Sequence, residues 1–262
     1  MSISASDSAW IGRQFAAIDM AALNASAAML ERLDNKYVVA AETLERALPL
    51  LREAFDVLEI EGRRAFAYEN CYFDGPDWQS YFDHHRGKRI RAKVRTRRYV
   101  ESGLCFVEVK LKDRRGSTVK RRLACDPAGH GALDAAALAH VEAAYRDLYG
   151  LAFPHGLDRS LDTRYTRTTL VAKAGGERLT IDSGIAFRTD ARSHAVDDGL
   201  FVVETKSANG NGIADRILRA LHQHPVPHCS KYCAGMAVLR DGLKHNNFNA
   251  ALRKLGALSP QT

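Results

Sequence analysis

The sequence contains no CxxC pair, and its five cysteines (Cys71, Cys105, Cys125, Cys229 and Cys233) are odd in number and widely spread. That argues against a disulfide framework and suits reduced thiols in a cytoplasmic protein. Nowhere is there a run of the roughly 18–20 apolar residues that a membrane-spanning helix requires. Asp7, Arg13 and Asp19 interrupt each stretch near the N-terminus that could form a signal-peptide core. Neither a GxxxxGKS loop nor a GxGxxG turn occurs, so the P-loop and Rossmann routes to nucleotide binding are unsupported. No Pro/Gly/Ser-rich linker and no fixed-period repeat divides the chain. It reads as one domain over residues 31–256, with a helical extension over 1–30 and a short disordered tail over 257–262. Trp10, Trp78 and the tyrosines form no RNA-stacking signature, and nucleic acid is not expected as a partner.

What the sequence has is positive charge in a pattern. Its 262 residues carry 38 Lys plus Arg against 31 Asp plus Glu, a formal charge of +7. Bulk charge cannot separate nucleic acid, anionic lipid and phosphate as partners; arrangement is more telling. Residues two apart in a strand share a face. Arg89, Arg91, Lys93, Arg95 and Arg97 alternate with Ile90, Ala92, Val94 and Thr96, which as a strand places one cation every ~6.6 Å on one face. Glu108, Lys110 and Lys112 alternate with Val107, Val109 and Leu111. Lys120 and Arg122 share a face, as do Arg178, Thr180 and Asp182, then Glu204 and Lys206, and near the start Arg32, Asp34 and Lys36.

One such strand alone fits a sheet with its polar face to water. Repetition in at least five strands, with few acids among them, favours an α+β fold: an antiparallel β-barrel with a cationic central tunnel and flanking helices outside. Helices are expected near residues 10–30, 43–55 (with Pro49 as a possible kink), 78–83, 133–148, 212–222 and 232–255. The runs 178–182 and 185–188 read as separate strands. Such a face suits phosphoryl transfer, which asks mainly for positioning and charge neutralisation. Glu204 and Glu108 are hard-oxygen candidates for Mg²⁺ or Mn²⁺, with internal salt bridges to Lys206 or Lys110 as the competing reading. His222, His224, His228, Cys229 and Cys233 match no standard zinc spacing.

Arg32-Leu33-Asp34-Asn35-Lys36-Tyr37, Tyr72-Phe73-Asp74, Lys93-Val94-Arg95-Thr96-Arg97-Arg98-Tyr99, Val107-Glu108-Val109-Lys110 and Val119-Lys120-Arg121-Arg122 occur in that order. Tyr165-Thr166-Arg167, Arg178-Leu179-Thr180-Ile181-Asp182, Val203-Glu204-Thr205-Lys206 and Ser230-Lys231-Tyr232 follow. Together they resemble the VTC domain of polyphosphate polymerases, in the triphosphate tunnel metalloenzyme (CYTH-like) superfamily. The resemblance implies ATP-dependent synthesis of inorganic polyphosphate with Mn²⁺ or Mg²⁺, and so ATP and polyphosphate as partners. It implies that Lys36, Arg95, Arg97, Arg167 and Arg178 act on the reacting phosphates. Lys110, Lys120, Arg122 and Lys206 would hold substrate along the bore, and Tyr165, Ser230 and Lys231 would lie near its mouth. Glu204, with Glu108, would bind the metal. A triphosphate or short-chain hydrolase and a non-catalytic polyphosphate or nucleotide sensor are the alternatives on the same scaffold. The superfamily opens with Glu-x-Glu-x-Lys where this chain has Arg32-Leu33-Asp34-Asn35-Lys36; fewer acids favour holding a longer anion over a two-metal hydrolytic site.

Overall fold

The computed structural model describes residues 8–26, 33–113 and 116–258; Arg32 lies outside them. Its first elements are α1 (Ser8–Arg13), β1 (Ala17–Ile18), α2 (Met20–Ser26), β2 (Leu33–Ala40), α3 (Ala41–Ala54), β3 (Phe55–Leu58), β4 (Phe66–Asp74), α4 (Gln79–His85), β5 (Arg91–Tyr99), β6 (Cys105–Lys112) and β7 (Thr118–Cys125). Then come α5 (Ala135–Tyr149), β8 (Asp158–Ala172), β9 (Arg178–Arg188), β10 (Ser193–Ala195), β11 (Leu200–Ser207), α6 (Ile213–Ala220), α7 (Lys231–Leu239) and α8 (Asn249–Lys254).

The strands form one large sheet in the order β2-β11-β9-β8-β4-β5-β6-β7, each neighbouring pair antiparallel. β3 adds to β8, β10 to β9, and β1 lies parallel to β3. The expected barrel is not formed: among the described residues, β2 and β7 stand at opposite ends of the order and do not pair with each other. Alternation reports which side chains share a face. It says nothing about whether the last strand reaches the first, which needs a matched tilt and stagger around the whole sheet. The open sheet still curls, since α7 ties β5 to β9: Ser230 accepts from Lys93 of β5 and Lys231 donates to Asp182 of β9.

Helices cover the outer face where it is apolar. Leu44, Leu48 and Leu51 of α3 pack on Tyr37, Val39, Leu170, Ile181 and Val203, each buried aliphatic side chain contributing about 1.5–3 kcal/mol. Pro49 is accommodated inside α3 because it faces water, which satisfies the carbonyl it leaves unbonded. Buried Asp215 of α6 accepts from Tyr37 Oη (2.7 Å), Thr205 Oγ1 (2.7 Å) and Asn35 Nδ2 (2.9 Å), fastening that helix to β2 and β11. α5 starts at Asp134, whose side chain accepts from the Ala137 amide, and ends at left-handed Gly150. It covers Cys71, Val94, Val107 and Val109.

A third cluster joins the inner face to α7 and α8, with Leu161, Phe187, Tyr232, Met236 and Phe248 at its centre. Residues 178–188 are one strand with a bulge. Thr166 pairs with Ser183 and Arg164 with Ala186, so Gly184 (φ 56°) and Ile185 together oppose Tyr165. The bulge reverses parity: Arg178, Thr180 and Asp182 face inward, and beyond it Ile185 and Phe187 do. The single helix expected over 232–255 is broken after Leu239, with Gly242 in a left-handed turn. The helix expected over 10–30 is α1, β1 and α2 as far as residue 26; Ile11 and Phe15 are buried in the α3 cluster. Ala257 and Leu258 pack on the third cluster, and the rest of the expected tail lies outside the described residues.

Candidate functional site: a cationic concave face

Register carries the charged residues of separate strands into continuous rows. Glu204 on β11 sits between Lys36 of β2 and Thr180 of β9; Lys206 sits between Asp34 and Arg178. Across β9 and β8, Asp182 opposes Arg167. Across β4, β5, β6 and β7, Tyr72 opposes Arg95, Arg95 opposes Glu108, and Glu108 opposes Arg122; one register step along, Lys93, Lys110 and Lys120 align. The alternate positions Ala92, Val94, Val107 and Val109 lie beneath α5. Like charges in such rows are held apart by a few carboxylates.

Buried Glu108 accepts from Arg95 Nε (2.9 Å) and Nη2 (2.6 Å), pairs with Lys120, and lies 3.8 Å from Arg97 Nε. Burial pushes its carboxyl up, but Arg95, Arg97 and Lys120 more than reverse this and hold it well below the usual carboxylate range. Arg97 donates to Asn70 Oδ1 (2.8 Å) and Tyr165 Oη (3.0 Å). Buried Asp182 accepts from both Nε (2.6 Å) and Nη2 (2.8 Å) of Arg167 and from Lys231 Nζ (2.5 Å). Glu204 pairs with Lys206 and, at 3.9 Å, with Lys36; Lys206 also reaches Asp34 at 3.3 Å. Lys93 Nζ donates to Ser230 Oγ (2.8 Å), and that hydroxyl caps α7 by accepting from the Cys233 amide.

Aromatic rings orient the guanidiniums. Tyr68 and Tyr165 stack at 5.3 Å, and Arg97 and Arg167 each stand 5.2 Å from the Tyr68 centroid. Lys231 Nζ lies 4.5 Å from the Tyr165 centroid. Lys110 has no carboxylate in salt-bridge range among the described residues. Burial within the concavity and the field of Lys36 pull its pKa down to about 7, although part of the side chain is exposed. Burial, then Arg95, pull Lys120 down to about 8 against the opposing pull of Glu108.

The structure therefore gathers Lys36, Arg95, Arg97, Lys110, Lys120, Tyr165, Arg167, Lys206, Ser230 and Lys231 with Glu108 and Glu204 on one concave surface. Arg178 and Arg122 share that face by register but lie at its margins: Arg178 reaches the Leu23 carbonyl (3.5 Å), and Arg122 stacks on Phe106 (5.0 Å). Residues the sequence reading left without a role include Asp182, Lys93, Asn70, Tyr68 and Tyr72. Parity could have placed all of them on this face, but their partners come from other strands and leave no local signal.

Glu204 and Glu108 form no preassembled ligand set for Mn²⁺ or Mg²⁺. Glu204 and Glu108 sit on different parts of the face, each already saturated by two or three cations. Among the described residues no three His, Cys, Asp or Glu side chains come together as a ligand set. As it stands the face is built for anions, with cationic side chains doing the neutralising. Among the described residues no helix is long and apolar enough to cross a membrane.

No curated protein matches the sequence. Among solved structures, HpAC1 from Hippeastrum, an adenylyl cyclase candidate described as having a dominant triphosphatase activity, is 14% identical with a TM-score of 0.48, covering 83% of this chain and 100% of that one. An adenylate cyclase candidate, bh2851 from Bacillus halodurans, is 17% identical with a TM-score of 0.47, over 75% of this chain and 92% of that one. The PH1012 protein from Pyrococcus horikoshii OT3 is 16% identical with a TM-score of 0.40, over 73% and 90%. The VTC domain model matches residues 31–240, the span that supplies every strand from β2 to β11 and all the cations of the concave face, and the chain belongs to the VTC domain family.

Proposed function

We propose that this protein extends inorganic polyphosphate from ATP, holding the chain along the concave face. One observation carries the reading: cations from β2, β11, β8, β5, β6 and β7 converge on one surface whose acids are too few to balance them. A short triphosphate needs only part of such a surface; a polymer with a charge at each unit uses its length.

In the reaction an oxygen of the terminal chain phosphate attacks the γ-phosphorus of ATP. A new P–O bond forms as the bond from the γ-phosphorus to the β,γ-bridging oxygen breaks, ADP leaves, and the chain is longer by one phosphate. Lys36, Arg95, Arg97 and Arg167 would hold the reacting phosphates, each charge-assisted hydrogen bond being worth about 1.5–3 kcal/mol. Glu108, Asp182 and Glu204 fix those cations in place. Lys231 and Ser230 would guide the anion from the α7 end, while Lys110, Lys120 and Lys206 neutralise the bound chain. The face supplies charge stabilisation and alignment, which is most of what phosphoryl transfer asks of a protein.

The test is purified protein with ATP and Mg²⁺ or Mn²⁺, read on a gel for polymer and by assay for free phosphate. Polymer formation is expected, with polyphosphate affinity falling as salt rises. Phosphate release without polymer would make the protein a hydrolase, and tight polyphosphate binding with neither product would make it a sensor.

A further inference from the structure

Among the described residues, the outer face of the sheet is bare between α5 and α3. Two cross-strand rows cross the gap: Arg98, Glu69, Arg164, Ala186 and Ala195 in one, and Asp162, Arg188 and Ser193 in the next. These positions alternate with Arg97, Asn70, Thr163 and Phe187, so the two sets point to opposite sides of the same strands. The bare strip, walled by the His130-Gly131 turn, forms a groove of about 610 Å³, within the size range of sites for small organic ligands.

Its charges do not balance. Arg98, Arg159, Arg164 and Arg188 line it against only Glu69 and Asp162. Glu69 is taken by Arg98 through Nε (2.9 Å) and Nη2 (2.5 Å). Asp162 is taken by Arg159 and by Arg188 Nη2 (3.2 Å). Arg164, in the middle of the first row and exposed, has no ion pair among the described residues. Ala186 and Ala195, directly opposed, give the floor a small apolar patch beside these guanidiniums.

We infer that this groove is a second anion site, separate from the concave face, for a phosphate monoester of nucleotide size. Four guanidiniums against two carboxylates leave an excess of two positive charges, matching a phosphate dianion. Arg164 is open to grip that phosphate in a fork, with Arg188 beside it. The volume exceeds what one phosphate fills, and the alanine floor takes the ligand's organic part. The inference stands apart from the proposed polymerase reaction, because none of the concave-face cations lines the groove.

The test is calorimetric titration of the full chain with AMP, and separately with inorganic phosphate. The expected result is AMP binding that Arg164→Glu and Arg188→Ala each weaken by about tenfold or more, as for a lost charge-assisted contact, while tripolyphosphate affinity at the concave face is unchanged. Arg164 is exposed and has no ion pair among the described residues, so its substitution leaves folding intact; thermal melting verifies this. AMP binding tighter than phosphate supports use of the apolar floor, and equal binding with the same sensitivity to both variants assigns the site to phosphate alone. No AMP binding at millimolar concentration, affinity unmoved by both variants, or loss only on Arg95→Ala would overturn the inference.

Discussion

Glu108 lies directly across the β5–β6 ladder from Arg95, and one of its carboxylate oxygens accepts two hydrogen bonds from that guanidinium. The same buried carboxylate meets Lys120 and lies near Arg97, so one negative charge anchors three cations of the face. Removing it leaves them in mutual repulsion with little water to relieve it. Glu108→Gln is expected to cost about 3–5 kcal/mol at neutral pH, the range for breaking a buried ion pair. A carboxylate held low in the folded state stabilises fully above its unfolded pKa of about 4.3, and that share is lost as pH falls below it toward the folded value. Urea denaturation of both proteins should show the gap wide at pH 7 and narrowing below about pH 4. A gap that stays constant with pH would remove Glu108 from this role.

Lys110 provides a pH test of the face itself. Its pKa is pulled down to about 7 by burial and by Lys36. The unfolded chain keeps that proton up to about pH 10.4, so between these values the unfolded state binds more protons and stability rises with pH. The folded protein meanwhile loses a positive charge that would meet an anion. Tripolyphosphate affinity is expected to fall between pH 6 and 9, with Lys120, pulled down to about 8, adding to the decline. Lys110→Met should bind more weakly at pH 6 and show a flatter profile. A wild-type affinity independent of pH across that range would contradict the assignment.

The charged face was readable because strand parity is local: Lys93, Arg95 and Arg97 must share a side whatever the strand pairs with. The apolar side opposite them, under α5, followed from the same period. Closure was not readable, since it depends on whether β2 and β7 meet, and nothing within either strand reports that. Nor was the parity reversal at Gly184, which sends Phe187 inward beneath α7 instead of outward with Leu179 and Ile181. Among site residues, Asp182 stood in an alternation already noted, but its importance lies in Arg167 from β8 and Lys231 from α7. Such convergence is a property of the topology, and a single strand cannot disclose it.

Arg167 separates shape from charge. Its guanidinium forms a fork with Asp182 while standing over both Tyr68 and Tyr165. Lysine keeps the charge but loses the planar fork and the stacking. If polymer synthesis proceeds as proposed, Arg167→Lys should slow it by about 10–100-fold, the equivalent of one charge-assisted contact, with a far-UV spectrum like that of wild type. Turnover equal to wild type would show that point charge alone suffices there.

Gly235 tests how firmly α7 must seat for Lys231 and Ser230 to reach the face. A Cβ at this position would stand 2.7 Å from Leu161 Cδ2 and 2.8 Å from Phe187 Cδ1. Alanine improves the helix by about 1 kcal/mol over glycine, whereas overfilling a packed core costs about 1–3 kcal/mol. Both neighbours are fully buried, one on β8 and one on β9, so neither side chain has open space to swing into. The packing cost is expected to win, lowering the melting temperature of Gly235→Ala by about 2–6 °C. Because α7 must shift outward to make room, the Lys93–Ser230 and Lys231–Asp182 contacts lengthen, and tripolyphosphate affinity should fall with the melting temperature. A raised melting temperature would mean that helix propensity outweighs the clash and that the helix has slack against the sheet.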